Sequence, residues 1–232
     1  MNKIGILSAG PGLAEIVKIY GHSSEWIPQI LLNYNIQFDV IKVYEDDCII
    51  DDNYDGYIIT GSKYSVYDNI KWIDKLKYDL LSIIEREKPM LGICFGHQLL
   101  AEVLGGNVCK NSKGWELGSY RVQLTKEGID SPLFNGLSSN EIFYESHQDV
   151  VESPPLNSTV LANSAKGNQS FVMNKNIYGV QFHPEFNWDI TRKLMDIRIK
   201  KGIEVDSKIL LESSNGHLVL NNFIDTIERE KI

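Results

Sequence analysis

Two short segments of this 232-residue chain hold residue types that can do covalent chemistry together. The first is Gly92-Ile93-Cys94-Phe95-Gly96-His97-Gln98-Leu99-Leu100. An apolar run enters a glycine-bracketed cysteine and a helical pattern starts at once, as in a nucleophile elbow with cysteine in the serine position. A nucleophile on so tight a strand-to-helix turn sits in a strained backbone conformation, and its flanking glycines let strand and helix approach. The helix N-terminus directs partial positive charge at the sulfur, favouring a thiolate and, later, an oxyanion to which Phe95 can offer its backbone N–H. The second segment is Gly179-Val180-Gln181-Phe182-His183-Pro184-Glu185-Phe186. Here an apolar strand delivers a histidine at its C-terminal end, and a carboxylate follows two residues later. A cysteine nucleophile needs a base to take its proton, and the base needs an orienting group on its other ring nitrogen. Pro184 restricts the backbone so that both side chains can be held towards one site.

Taken alone, each segment has a plainer reading. A cysteine that ends a buried strand can be a small core hydrophobe. His183 can be a solvated surface residue beside an unrelated Glu185. A His-x-Glu pair can supply two metal ligands, but no further His/Cys cluster accompanies it and no metal is expected. Cys48 and Cys109 lack both an elbow and a base motif and read as packing residues. His22 and His217 stand alone in polar sequence and read as solvated, while His97 reads as support for the helix start. Lys63, Tyr64 and Tyr67 read as a surface loop that could also reach a substrate, and Trp115 and Glu116 as a possible pocket edge.

The elements that must position these residues follow from apolar periodicity. Residues 3–7, 36–43, 54–60 and 89–93 read as strands, the last two nearly uninterrupted in apolar character as for strands covered on both faces. Ile70, Ile73, Leu76, Leu80 and Ile84 recur at helical spacing, with Asp68 or Asn69 as a candidate cap and Lys88-Pro89 as the end. The elbow helix should stop at Gly105-Gly106. This alternation implies an α/β fold, an open and mostly parallel sheet with helices on both faces. From about 107 to 182 short strand candidates separated by turn-rich loops suggest a small antiparallel patch attached to the sheet. Residues 187–201 and 207–230 turn helical again. With no Pro/Ser-rich linker, repeat or low-complexity tract, the expectation is one domain over 1–232 with a helical C-terminal extension over 187–232.

Composition excludes several classes. The 23 basic and 31 acidic residues leave a net charge of −8, which argues against a phosphate-backbone binder. No apolar run approaches the roughly 18–20 residues needed to span a bilayer. The N-terminus reads as a first strand rather than a signal peptide. Three cysteines are too few for a disulfide framework, so the expected setting is cytoplasmic, with neither nucleic acid nor membrane as partner.

LGICFGHQLLAEVLGG together with GVQFHPEF resembles the class I, triad-type glutamine amidotransferases, in that family's order and approximate spacing. The segment Ile58-Ile59-Thr60-Gly61-Ser62 matches the strand-end loop that completes the family's oxyanion hole. Glu145-Ser146-His147-Gln148-Asp149 resembles the loop that holds the glutamine head group, and Gln98 matches a substrate-contacting position. The likeness extends from the first strand to the C-terminal helices and is strongest to stand-alone proteins similar to the glutaminase half of GMP synthase. It implies a flavodoxin-like fold and hydrolysis of a γ-glutamyl amide through a thioester on Cys94, with His183 as base and acid and Glu185 as its orienting group. It further implies an oxyanion hole from Gly61, Ser62 and Phe95, and substrate contacts from Gln98, Ser146, His147 and Gln148. No P-loop or second glycine-rich nucleotide signature is present, so no cofactor is expected. The stretch after Glu185 is too short for an ATP-using synthetase domain. The expected partners are therefore glutamine or another γ-glutamyl compound and a separate ammonia-accepting synthase subunit. The same motifs are all shared by a γ-glutamyl peptidase acting alone, and a catalytically retired binding module on the same fold is the third reading.

Overall fold

The computed structural model describes residues 1–45, 50, 53–206 and 210–229, with the side chain of Arg229 not described. Cys48 lies outside the described residues, so its expected packing role is not addressed. Five strands form the parallel half of the main sheet: β1 (Asn2–Ser8), β2 (Ile36–Lys42), β3 (Gly56–Ile59), β4 (Met90–Ile93) and, far along the chain, β11 (Ile177–Val180). Their spatial order is β2-β1-β3-β4-β11, all neighbours parallel. The antiparallel strands extend this same sheet beyond β11 in the order β10 (Asn168–Met173), β9 (Thr159–Asn163), β6 (Glu116–Leu124) and β7 (Asn140–His147). A separate ribbon pairs β5 (Asn107–Lys110) with β8 (Asp149–Ser153). The class is α/β, with the antiparallel region built mainly as a continuation of the open sheet.

Alternation along each strand sends successive side chains to opposite faces. Ile58 and Leu91 face one core with Ile27 and Leu31, whereas Ile59 and Met90 face the other. The second face is covered by α3 (Lys71–Glu85) and α4 (Phe95–Val103) through Ile73, Leu76, Leu80, Leu99 and Leu100. The first is covered by α7 (Asn215–Arg229) through Val219, Leu220, Phe223 and Ile227. Each such buried aliphatic or aromatic side chain contributes about 1.5–3 kcal/mol relative to exposure. The α7 contact is close: a Cβ on Gly56 would sit 2.7 Å from Ile227 Cδ1. Helix α6 (Trp188–Lys200) follows the His183 segment and packs Ile190, Leu194 and Ile197 against Trp26, Tyr144 and Phe186.

Some local expectations are corrected. Neither Asp68 nor Asn69 caps α3: its N-cap is Ile70 without a side-chain bond, and the Asp68 carboxylate instead accepts from the Ser65 N–H at 2.9 Å. The last helix begins at Asn215 rather than near 207, and 210–214 are not helical. Two short helices, α1 (Ala14–Tyr20) and α2 (Ser23–Ile30), lie between β1 and β2. His22 is not a free surface residue. It caps α2 by accepting from the Ser24 N–H, and its Nε2 lies 2.7 Å from the Gly10 carbonyl.

Candidate functional site

Cys94 and His183 come from neighbouring strands. Ile93 at the end of β4 pairs with Val180 at the end of β11, so both chains leave the sheet at the same carboxyl edge, where open α/β sheets place ligand sites. Cys94 has φ 51° and ψ −99°, a left-handed conformation costing on the order of 1–3 kcal/mol that persists only where the surroundings enforce it. The enforcing contacts are visible. The Cys94 N–H donates to the Val180 carbonyl at 2.8 Å, and α4 starts at Phe95. A Cβ on Gly92 would collide with the Gly96 carbonyl, and one on Gly96 would lie 2.5 Å from the Ile59 carbonyl oxygen. The two glycines of the bracket are there because strand, turn and helix touch backbone to backbone.

His183 is 7% exposed and Glu185 2%. The imidazole Nδ1 lies 2.9 Å from Glu185 Oε1, and its face stacks on Phe186 with centroids 3.9 Å apart. The His183 N–H donates to the Tyr144 carbonyl on β7 at 2.9 Å, and Gly216 at the start of α7 packs on Pro184. The ring is thus fixed by a carboxylate at one edge and an aromatic plane below. Gly61, just past β3, abuts both groups: a Cβ there would lie 2.8 Å from His183 Cε1 and 3.6 Å from Cys94 Cβ. Three consecutive parallel strands, β3, β4 and β11, therefore bring Gly61, Cys94 and His183 to one point.

Burial pushes the Cys94 thiol well above its usual range, and the carboxylates of Glu145 and Glu185 add to this, while the Phe95 N–H acts in the opposite direction. The resting site holds a thiol, which shifts the sequence expectation of a helix-stabilised thiolate. The helix N-terminus helps, but burial outweighs it, and the thiol proton must be taken by a base. Beside the sulfur is a cavity lined by Ser62, Gln98, Trp115, Ser146, Gln148 and Arg198, among others. Gln98 donates to the Gln181 side-chain oxygen and to the Asp149 carbonyl, both at 3.0 Å, which locks the elbow helix to the 146–149 loop. Asp149 in turn accepts from Ser65 and from the exposed Tyr67, tying the 62–68 loop across the cavity.

The class-I glutamine amidotransferase family model matches residues 15–195. The chain belongs to that family. Its relatives include the glutamine-hydrolysing subunit of GMP synthase from Sulfurisphaera tokodaii, 39% identical over 66% of this chain and 73% of that protein. "Gamma-glutamyl peptidase 4" of Arabidopsis thaliana is 29% identical over 86% of this chain and 84% of that one. Among solved structures, a glutamine amidotransferase from Thermotoga maritima superposes with a TM-score of 0.73 at 25% identity, covering 99% of this chain and 91% of that chain. Members of the family are hydrolases and amidotransferases. Among the described residues, no helix is long and apolar enough to cross a membrane.

Within this amidotransferase fold the His147 side chain is not incidental to its loop. It is 4% exposed, with Nε2 3.1 Å from Glu145 and 3.2 Å from Glu116 and Nδ1 2.9 Å from the Asp149 carbonyl. Burial alone would lower its pKa, but hydrogen bonds to Glu116 and Glu145 and their charges raise it to about 10. Burial raises Glu145 to about 7 against the opposing effect of His147. The register that pairs Glu116 with His147 across β6 and β7 brings these groups together. His97, behind the elbow, is kept neutral by burial and by the charge of His147, at about 3. Its ring packs against Phe171 and so tightly on β11 that Gly179 has no room for a Cβ. Cys109 is half-buried on β5, and His217 is partly buried near Glu185.

Sequence reasoning missed Arg198. It lies on α6, its guanidinium stacks over Trp115 at 4.8 Å, and its Nε is buried without a hydrogen-bond partner. It lines the cavity beside Cys94 and also a second cleft on the His183 side. In the sequence, Arg198 sits among basic residues on an amphipathic helix, and nothing local distinguishes it from a solvated face.

Proposed function

We propose that the chain hydrolyses a γ-glutamyl amide, glutamine in the first instance, through a γ-glutamyl thioester on Cys94. The observation that supports this most is the left-handed Cys94 elbow at the same sheet edge as His183, whose Nδ1 is 2.9 Å from Glu185. His183 takes the thiol proton as Cys94 Sγ attacks the side-chain carbonyl carbon. The C–N bond breaks, and the same proton passes from His183 to the departing amine. Water then attacks the thioester, its proton going to His183 and on to the leaving sulfur. Glu185 holds the imidazole and stabilises its imidazolium form. Backbone N–H groups at Gly61, Ser62 and Phe95 receive the oxyanion, each worth on the order of 10²–10³ in rate. Gln98, Ser146 and Gln148 side chains and the main chain at His147 hold the glutamyl group.

The family and the relative named as part of GMP synthase support release of ammonia to a separate synthase. The thiol chemistry suits a reducing compartment such as the cytoplasm. The 187–232 helices belong to the same domain in this reading. Ammonia release from glutamine by the purified chain, compared with Cys94→Ala and His183→Ala, tests the proposal. Turnover is expected in the native chain alone, and turnover by Cys94→Ala contradicts it.

A further inference from the structure

The cleft on the His183 side is bounded by Leu13, His22 and Trp26 from α1, α2 and their junctions and by Leu194 and Arg198 from α6, with His183 and Phe186 beneath. An acid that protonates the departing nitrogen must sit against it, so whatever that nitrogen carries extends into the space His183 lines. Ammonia would fill only the nitrogen position. It would need neither the apolar wall of Leu13 and Trp26 nor a cation.

Yet two cations stand at the junction of this cleft with the glutamyl cavity. Lys63 and Arg198 line both, and among the described residues neither forms a salt bridge. Lys63 lies over the Tyr64 ring and Arg198 over Trp115, and the buried Arg198 Nε donates to nothing. In a chain with 31 acidic residues against 23 basic ones, two unpaired cations at one cleft are anomalous. The carboxylate nearest the chemistry, Glu185, is engaged by His183. A stacked guanidinium with a free edge is suited to hold a carboxylate in a fixed plane.

We propose that Arg198, assisted by Lys63, is a carboxylate receptor on the leaving-group side of Cys94, so that the preferred substrates are γ-glutamyl peptides whose departing amine bears a free carboxylate. The inference rests on the thioester chemistry proposed above and names its substrate class. The departing group leaves as an amino acid, its nitrogen protonated from His183 and its carboxylate against Arg198. The Leu13 and Trp26 wall favours an apolar side chain on it.

The test compares kcat/KM for γ-glutamyl-leucine, for γ-glutamyl-leucinamide and for glutamine on the purified full chain, with Arg198→Met and Arg198→Lys. A charge-assisted hydrogen bond should make the native chain prefer the free acid to its amide by about tenfold to a hundredfold. That preference should shrink to within about threefold in Arg198→Met and be partly kept in Arg198→Lys, which retains charge but not the planar fork. A native chain that cleaves acid and amide equally overturns the inference without any variant. So does glutamine turnover with no dipeptide cleavage, an unchanged preference in Arg198→Met, or an equal loss on both dipeptides, which would place Arg198 on the glutamyl head group. Labelling of Cys94 by a glutamine-directed chloroketone separates the two claims. Labelling and glutamine turnover without acid preference overturn only this inference, whereas no label and no turnover of any substrate overturn the thioester reading as well.

Discussion

Replacing Gly61 by alanine tests the placement of the imidazole, because the consequence can be worked from the structure. Gly61 is not among the glycines with positive φ, so its backbone accepts alanine without strain. The added methyl would lie 2.8 Å from His183 Cε1 and 3.6 Å from Cys94 Cβ. Carbon atoms pack at about 3.5 Å or more, so the ring must retreat by roughly 0.7 Å. It cannot do so freely, since Phe186 stacks on it at 3.9 Å and Glu185 holds Nδ1 at 2.9 Å. A displacement near 1 Å of a catalytic group costs about 10²-fold, so kcat should fall by roughly 30- to 100-fold. Overpacking of this kind costs about 1–3 kcal/mol, which for a chain of this size lowers Tm by roughly 2–10 °C. The assay is ammonia release at saturating glutamine beside calorimetric Tm, with alkylation of Cys94 as the control that the sulfur remains in place. A kcat within about threefold of native with an unchanged Tm would refute the reasoning, because the imidazole would then act from somewhere else.

Glu185→Gln removes the carboxylate from a buried charge-assisted hydrogen bond worth about 1.5–3 kcal/mol, so kcat should fall by roughly 10- to 100-fold while alkylation of Cys94 does not slow. It should not slow because the lost negative charge makes the thiolate easier to form, as the raising influence of Glu185 on the thiol requires. Iodoacetamide modification of Cys94 should keep accelerating from pH 7 to pH 10, since burial raises the thiol above its ordinary value; a plateau by neutral pH would contradict this. His147, at about 10 in the fold against 6.5 in the open chain, stabilises fully below pH 6.5 and loses that contribution as pH rises through 10. Glu145, raised by burial to about 7 from 4.5, likewise makes stability decline as pH rises from 4.5 to 7. Denaturant midpoints measured from pH 5 to pH 10 should therefore fall, and His147→Gln should flatten the upper part of that decline.

The parts legible in the sequence are those written in a few consecutive residues. Gly92-Ile93-Cys94-Phe95-Gly96 announces its turn because both glycines are demanded by backbone contacts within that turn and with β3. His183 and Glu185 are two residues apart, and the strand that delivers them is apolar throughout. What could not be read is what depends on register or on distant packing. Glu116 meets His147 only because β6 and β7 pair at that register. Arg198 meets Trp115 only because α6 returns across the end of the sheet. The helices α1 and α2 escape a pattern search for local reasons: α1 is one of seven residues, α2 contains Pro28, and the α2 cap is a histidine rather than a short hydroxyl or amide side chain.

The most direct test of the central claim is acid-quenched intact-mass analysis of the chain during glutamine turnover, with peptide mapping of any adduct. The account predicts a γ-glutamyl group, labile to hydroxylamine, on the peptide that contains Cys94, building up in His183→Ala no faster than in the native chain and absent from Cys94→Ala. Glutamine turnover with no acyl group on Cys94, or with the adduct on Cys109 instead, would contradict it.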